Sequence, residues 1–198
     1  MSLKQKQKPL LHAILVMGVA GCGKSSVGQA IASSTGWQFF DGDDYHPAAN
    51  VKKMSAGTPL VDADRWPWLD RLNAVLRHKA AKGESSVLAC SALKAVYRQR
   101  LSTGLNKQNV RFTIVHLEGS FELIEARMKR RENHFMPAAL LKSQFASLET
   151  PSESLDGHKV LTLSIELPIS EIQAKAQAAI AEPSLISAAA DTPNRAID

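Results

Sequence analysis

The chain of 198 residues and 21.5 kDa has the length of one domain, and its 44% hydrophobic and 22% charged residues exclude a mainly disordered polymer. A formal charge of +5 rests on 24 Lys/Arg against 19 Asp/Glu, with Lys4, Lys6 and Lys8 all in the first nine residues. So mild a surplus lacks the dense basic stripe of a nucleic-acid binder and suits an anionic small molecule.

In chain order, short apolar runs alternate with longer amphipathic ones, which predicts a parallel-sheet α/β domain over residues 10–181. A flexible basic tail, 1–9, is expected before it. The first strand is expected over 12–17 and a helix over 24–35; a second strand over 37–41 precedes helices over 47–56 and 67–82. A third strand over 86–90 leads to a helix over 94–103, and a fourth over 111–117 to helices over 121–131 and 138–148. The last pair is a strand over 159–164 and a helix over 169–181. Pro47 and Pro67 read as first-turn prolines, and Gly57 and Gly83 as helix stops. Several strands are continuous hydrophobic runs, as strands covered on both faces should be. Residues 182–198, rich in Ala, Ser and Pro, read as a second flexible tail.

The strongest local signal is the run from Gly18 to Ser25, Gly-Val-Ala-Gly-Cys-Gly-Lys-Ser, which fits G-x-x-x-x-G-K-[ST] between a predicted strand and a predicted helix. Glycines let the backbone wrap phosphates closely, and the helix N-terminus adds unpaired N–H groups facing the anion. Gly18, Val19, Ala20, Gly21, Cys22, Gly23, Lys24, Ser25 and Ser26 are therefore expected to hold a nucleoside triphosphate. Lys24 should bridge the β- and γ-phosphates, and the Ser25 hydroxyl should ligate Mg²⁺.

A rival reading uses the same residues. Lysines followed by the apolar run 10–20 and Val19-Ala20-Gly21-Cys22 resemble a secretory leader ahead of a lipidated cysteine, which would make an envelope protein anchored at Cys22. The run is interrupted by His12 and is short of the roughly 20 apolar residues of a membrane span, so no membrane association is expected. Two cysteines, Cys22 and Cys90, cannot build a disulfide framework, and a reducing compartment is the default.

Phosphate binding leaves the fate of the γ-phosphate open. No Asp has Gly three positions later, and Asn106-Lys107-Gln108-Asn109 lacks the acid of a guanine-reading motif, which argues against a GTPase. The third predicted strand ends in Cys90-Ser91 without the usual Walker-B aspartate, which disfavours a motor or AAA-type ATPase. A phosphotransferase remains, with its metal-side acid elsewhere. Asp41-Gly42-Asp43-Asp44, directly after the second strand, supplies it: ligands in open α/β sheets bind beyond the carboxyl ends of strands. Asp41 is assigned to the metal and Asp43 to the attacking hydroxyl, while Asp44 reads as a helix cap.

These motifs, with His46-Pro47, Lys53-Met54, Gly57-x-Pro59-Leu60, Asp62-x-Asp64-Arg65-x-Pro67-Trp68-Leu69, Cys90-Ser91-Ala92-Leu93-Lys94, Tyr97-Arg98, His134-Phe135 and Ser143-Gln144-Phe145, resemble gluconate kinase in order from about residue 12 to 180. The resemblance implies a P-loop NTPase three-layer sandwich, a five-stranded parallel sheet with helices on both faces and a small lid at about 131–139, related to shikimate and adenylate kinases. It also implies ATP- and Mg²⁺-dependent phosphorylation of D-gluconate at the 6-hydroxyl, in a cytoplasmic homodimer. A kinase of another small hydroxy acid or of a nucleotide is the alternative.

Gluconate carries one carboxylate and many hydroxyls, so its pocket should hold a bidentate cation among hydrogen-bonding groups. Arg65 leads for the carboxylate, with Lys94 and Arg98 beside it; the competing role for Arg65 is an ion pair with Asp62 or Asp64. His46 is placed either at sugar hydroxyls or in a structural role, and Trp66 and Trp68 in the core with no stacking role for Trp68. Arg127 and Arg131, one helical turn apart, are expected at adenine and at the transferring phosphate, or as cations complementing a helix C-terminus. Gln144 is a substrate-side candidate by resemblance.

Overall fold

The computed structural model describes residues 9–130 and 138–182. Five strands, β1 (Leu11–Met17), β2 (Gln38–Asp41), β3 (Ser86–Ala89), β4 (Val110–Glu118) and β5 (Lys159–Ser164), form one wholly parallel sheet of order β2-β3-β1-β4-β5. β1 is central, paired through Ala13↔Ser86 to Val16↔Ala89 on one side and through Leu11↔Val110 to Met17↔His116 on the other. Its apolar sequence follows from that position, since both faces and both edges are covered.

The helices are α1 (Lys24–Thr35), α2 (Ala48–Ser55), α3 (Asp62–Ala81), α4 (Ala95–Ser102), α5 (Phe121–Lys129), α6 (Ala138–Ser147), α7 (Glu153–Asp156) and α8 (Ile169–Ala181). Alternate residues of the strands feed two cores. Leu15, Met17, Leu88 and Ile114 pack with Trp68, Leu72 and Leu76 of α3 and Leu101 of α4 on one face. Ile14, Val16, Val87 and Val115 pack with Val27 and Ile31 of α1 and Ile172 and Ala176 of α8 on the other. The result is the three-layer P-loop NTPase sandwich.

Three expectations about local structure are corrected. α3 begins at Asp62, five residues before Pro67, because the Asp64 carboxylate reaches back to accept the Val61 N–H at 3.0 Å. Pro67 is therefore inside the helix and forgoes one backbone bond. Asp44 is not the cap after β2; Asp41 is, accepting the Asp43 N–H at 3.1 Å at the start of a short 3-10 turn, Gly42–Tyr45. Between α6 and β5 the chain forms α7, too short to carry a hydrophobic period.

Candidate active site

The phosphate loop leaves the carboxyl end of β1 and enters α1. Two glycines make the path possible. Gly23, the residue before the helix, has φ +98°, and a side chain on Gly18 at φ +143° would run into the Leu117 carbonyl at 2.8 Å. The Lys24 ammonium donates to the Val19 carbonyl at 3.1 Å, folded back over its own loop. Cys22 is buried beneath it, and burial raises its thiol pKa against the pull of Lys24. Lipid attachment at Cys22 would require removal of central strand β1, and the fold speaks against that reading.

β2 ends on Asp41, beside α1. The Ser25 hydroxyl donates to its Oδ2 at 2.6 Å, and its Oδ1 takes the Asp43 N–H. One carboxylate thus joins the phosphate-loop serine to the acidic turn. This donor pair suits Mg²⁺, which is commonly held by one or two protein oxygens with phosphate and water completing the shell. No cluster of three or more acidic, His or Cys ligands exists among the described residues. The Asp43 side chain is 84% exposed, free to meet a ligand from solvent. Cys90, the residue after β3, is fully buried and its thiol is pushed up to about 12 chiefly by burial, with the charges of Asp43, Lys24 and Asp41 all acting on it.

His46 resolves toward structure. Its ring stacks on Trp68 at 4.1 Å and 15°, Asn50 meets its Nδ1 at 3.4 Å, and Trp68 in turn donates to the Gly42 carbonyl at 2.7 Å. Trp68 is core as expected, but it does stack, on His46. The His46 Nε2 lies 3.9 Å from Asp43, and burial holds the imidazole pKa below its ordinary value despite that acid. His46 and Trp68 together fix the floor of the turn that carries Asp43.

A cationic cluster lies across α3 and the start of α4. The Lys94 ammonium is 2.9 Å from both Asp62 oxygens, Tyr97 donates to Asp62 at 2.5 Å, and the Arg65 guanidinium is 3.7 Å from the same carboxylate. Both cations also approach the Tyr97 ring, at 5.6 and 5.5 Å. The hydrogen bond from Tyr97, then that from Lys94, holds the Asp62 pKa below the usual carboxylate range. Asp64 pairs instead with Lys53 at 2.6 Å. Sequence reasoning named Asp62 only as a competing ion-pair partner of Arg65 and gave Tyr97 no role; the i,i+3 spacing of Lys94 to Tyr97 on a helix start was the available signal.

Arg98 is corrected. It is fully buried: Nε and Nη2 bond the Asp156 carboxylate at 2.6 and 3.2 Å, and Nη1 serves the carbonyls of Ala92, Leu93 and Glu149. The guanidinium has no solvent exposure, so it does not face a substrate carboxylate. Arg98 instead staples the turn before Lys94, where Ala92 sits at φ +43°, a conformation costly for a residue with a Cβ. Gln144 is likewise redirected: its Oε1 accepts the Ala20 N–H at 2.7 Å, so it adjoins the phosphate loop. Arg127 donates to the Ile165 carbonyl at 2.6 Å, between α5 and the turn after β5. Arg131 and the lid expected at about 131–139, up to the start of α6, lie outside the described residues. A cavity of about 650 Å³ lined by Ser102, Arg111, His158 and Lys159 opens at the opposite, amino end of β4 and β5 and contains none of these groups.

A phosphate cradle after the central strand, faced by an acid from the carboxyl end of β2 in the same sheet, defines a small-molecule kinase of the P-loop class. Residues 14–151 match the family model for an AAA domain, and the chain belongs to that broad class. The sequence argument against an AAA-type ATPase did not anticipate this; the absent third-strand aspartate on which it rested is absent still, and Asp41 stands next to Ser25 instead. More narrowly, the chain belongs to the gluconokinase family. It is 45% identical over 175 residues to a probable gluconokinase of Rattus norvegicus, covering 81% of this chain and 93% of the relative. A gluconokinase structure from Sinorhizobium meliloti 1021 superposes with a TM-score of 0.73 at 42% identity, covering 86% and 91% of the two chains. A sugar kinase structure from Janibacter sp. HTCC2649 gives 0.78 at 36% identity, covering 87% and 95%.

Proposed function

We propose that this enzyme transfers the γ-phosphoryl group of ATP to the 6-hydroxyl of D-gluconate, giving 6-phospho-D-gluconate and ADP, with residues 10–181 as the catalytic domain and 131–139 as its lid. The observation that carries the reading is the 2.6 Å contact of Ser25 with Asp41, which closes a nucleotide loop onto an acidic turn open to an acceptor. Phosphoryl transfer leaves the protein mainly to position groups and stabilise charge. The loop backbone from Gly18 to Ser26 holds the phosphates, Lys24 neutralises charge growing between β and γ, and Arg127 and Arg131 serve the adenine and the transferring group. Ser25 and Asp41 would hold Mg²⁺, which would supply neutralisation of the phosphate charge. Asp43, steadied by His46, accepts the hydrogen bond of the attacking hydroxyl and takes its proton late. Arg65 and Lys94 bind the gluconate carboxylate, leaving Asp62 for it: one anion replaces another on a preformed cation pair.

The protein acts in the cytoplasm as a homodimer in this reading; no helix among the described residues is long and apolar enough to cross a membrane. An ADP-release assay over gluconate, shikimate and AMP tests the acceptor. Gluconate should be strongly preferred; comparable turnover of shikimate or AMP overturns the assignment. Light scattering of the purified protein tests the dimer, and a mass of one chain overturns it.

A further inference from the structure

One peptide unit of the phosphate loop is gripped at both ends. The carbonyl of Val19 takes the Lys24 ammonium at 3.1 Å, and the N–H of the same peptide, on Ala20, donates to the Gln144 side chain at 2.7 Å across 124 residues of sequence. The peptide is trans, so its C=O and N–H point in opposite directions and cannot turn independently. Whatever fixes the N–H also fixes where the carbonyl waits for Lys24. An amide offers one acceptor and two donors; because Ala20 supplies a donor, the atom it meets must be the oxygen, which settles the orientation of the Gln144 amide.

The far end of the same segment is anchored to the acceptor side. Beyond α6, Glu149 donates its N–H to the Leu93 carbonyl at 2.9 Å and accepts the Ala95 N–H at 2.7 Å, while Arg98 holds its carbonyl at 3.0 Å. Residues 144–149 therefore span from the phosphate loop to the strained turn that presents Lys94.

We infer that Gln144 is a positioning residue for Lys24: its carbonyl sets the plane of the Val19–Ala20 peptide, and that plane sets the ammonium that meets the nucleotide. This rests on the proposed ATP site and gives Gln144 a role carried by its contact with the loop backbone. Gln144→Leu removes the acceptor at nearly constant volume, whereas Gln144→Glu keeps an oxygen at the same reach.

The first readout needs no ligand. Hydrogen exchange of the loop peptide containing Ala20 should quicken about tenfold in Gln144→Leu, stay near wild type in Gln144→Glu, and do so with the melting temperature of both variants unchanged. The second is affinity for β,γ-imido-ATP and turnover: Gln144→Leu should lose about tenfold in each, Gln144→Glu should recover most of it, and Gln144→Leu added to Lys24→Ala should lose nothing further. Unchanged Ala20 exchange in the Leu variant overturns the inference, as does faster exchange with affinity and turnover intact, or a loss that adds to that of Lys24→Ala. A wild-type protein that binds imido-ATP but phosphorylates none of the acids overturns the gluconate assignment alone, since exchange and nucleotide affinity still read the role of Gln144.

Discussion

The Lys94 ammonium lies 2.9 Å from each oxygen of the Asp62 carboxylate. With Tyr97 and Arg65 on the same acid, the protein builds its own carboxylate into the place where a substrate carboxylate is proposed to bind. The cations are thus held ready in the absence of ligand, and binding exchanges partners in place of ordering free side chains.

Arg65→Ala and Lys94→Ala should each raise the gluconate KM about tenfold or more while leaving the ATP KM within about twofold. A contact to a carboxylate that does not change during reaction is uniform binding, so kcat should move little. Steady-state kinetics with each substrate varied in turn checks this. An unmoved gluconate KM in both variants would show that these cations serve Asp62 alone.

Arg98 should behave in the opposite way. Its pair with Asp156 is wholly out of water on both sides, and removing one partner leaves a buried charge uncompensated, a loss of about 3–5 kcal/mol. Asp156→Ala and Arg98→Met should therefore lower the urea midpoint sharply. Any rise in the gluconate KM should come only together with the loss of stability, through the turn that presents Lys94. A variant of either residue with wild-type stability and a raised KM would return Arg98 to the substrate.

His116, on β4 beneath the site, is 2% exposed and its Nδ1 meets no partner among the described residues. Burial lowers its pKa, with Arg98 acting in the same direction and Glu118 against. The unfolded chain, with an ordinary histidine near 6.5, then binds the proton more readily than the folded one. Stability should be full above about pH 6.5 and fall as the pH drops toward the depressed folded value. His12, His46 and His158 are lowered by burial too and add to the slope. Urea unfolding at a series of pH values should show a shallower decline for His116→Phe than for wild type between pH 7 and 5. Equal slopes would mean that His116 is not a source of the acid sensitivity.

The sheet was legible because several strands, β1 above all, carry apolar runs, and α1 because a cradle glycine precedes it and Gly36 at φ +72° ends it. The start of α3 was not, since it depends on Asp64 folding back on Val61 and no hydrophobic period marks that. Lys24, Ser25 and Asp41 could be read from local motifs because their partners are set by strand ends. Arg98 could not: it sits among motif residues, but its partner is 58 residues away on a four-residue helix, and the pair is visible only once α4 and α7 pack. Gln144 fails for the same reason, its contact depending on how α6 returns to a loop 124 residues earlier.

The acidic turn after β2 should divide its labour between Asp41 and Asp43. Asp41 is tied to Ser25 and to the Asp43 N–H, so its oxygens face the phosphate side, whereas the exposed Asp43 carboxylate is left to the acceptor. Asp43→Asn preserves shape but removes the negative acceptor. It should lower kcat by about 10²–10⁴, the range of positioned acid–base groups, with ATP affinity retained. Asp41→Asn places an amide where a hard cation prefers a carboxylate, so it should shift the Mg²⁺ dependence of turnover to higher concentration, with part of the rate recovered at saturating metal. Lys24→Ala is the reference for complete loss, at about 10²–10³ or more in rate for one preorganised charge donor. Magnesium titrations of all three variants, with nucleotide binding measured separately, separate the roles. Near wild-type transfer by Asp43→Asn, or a Mg²⁺ titration left unchanged by Asp41→Asn, would show that the two carboxylates are not specialised in this way.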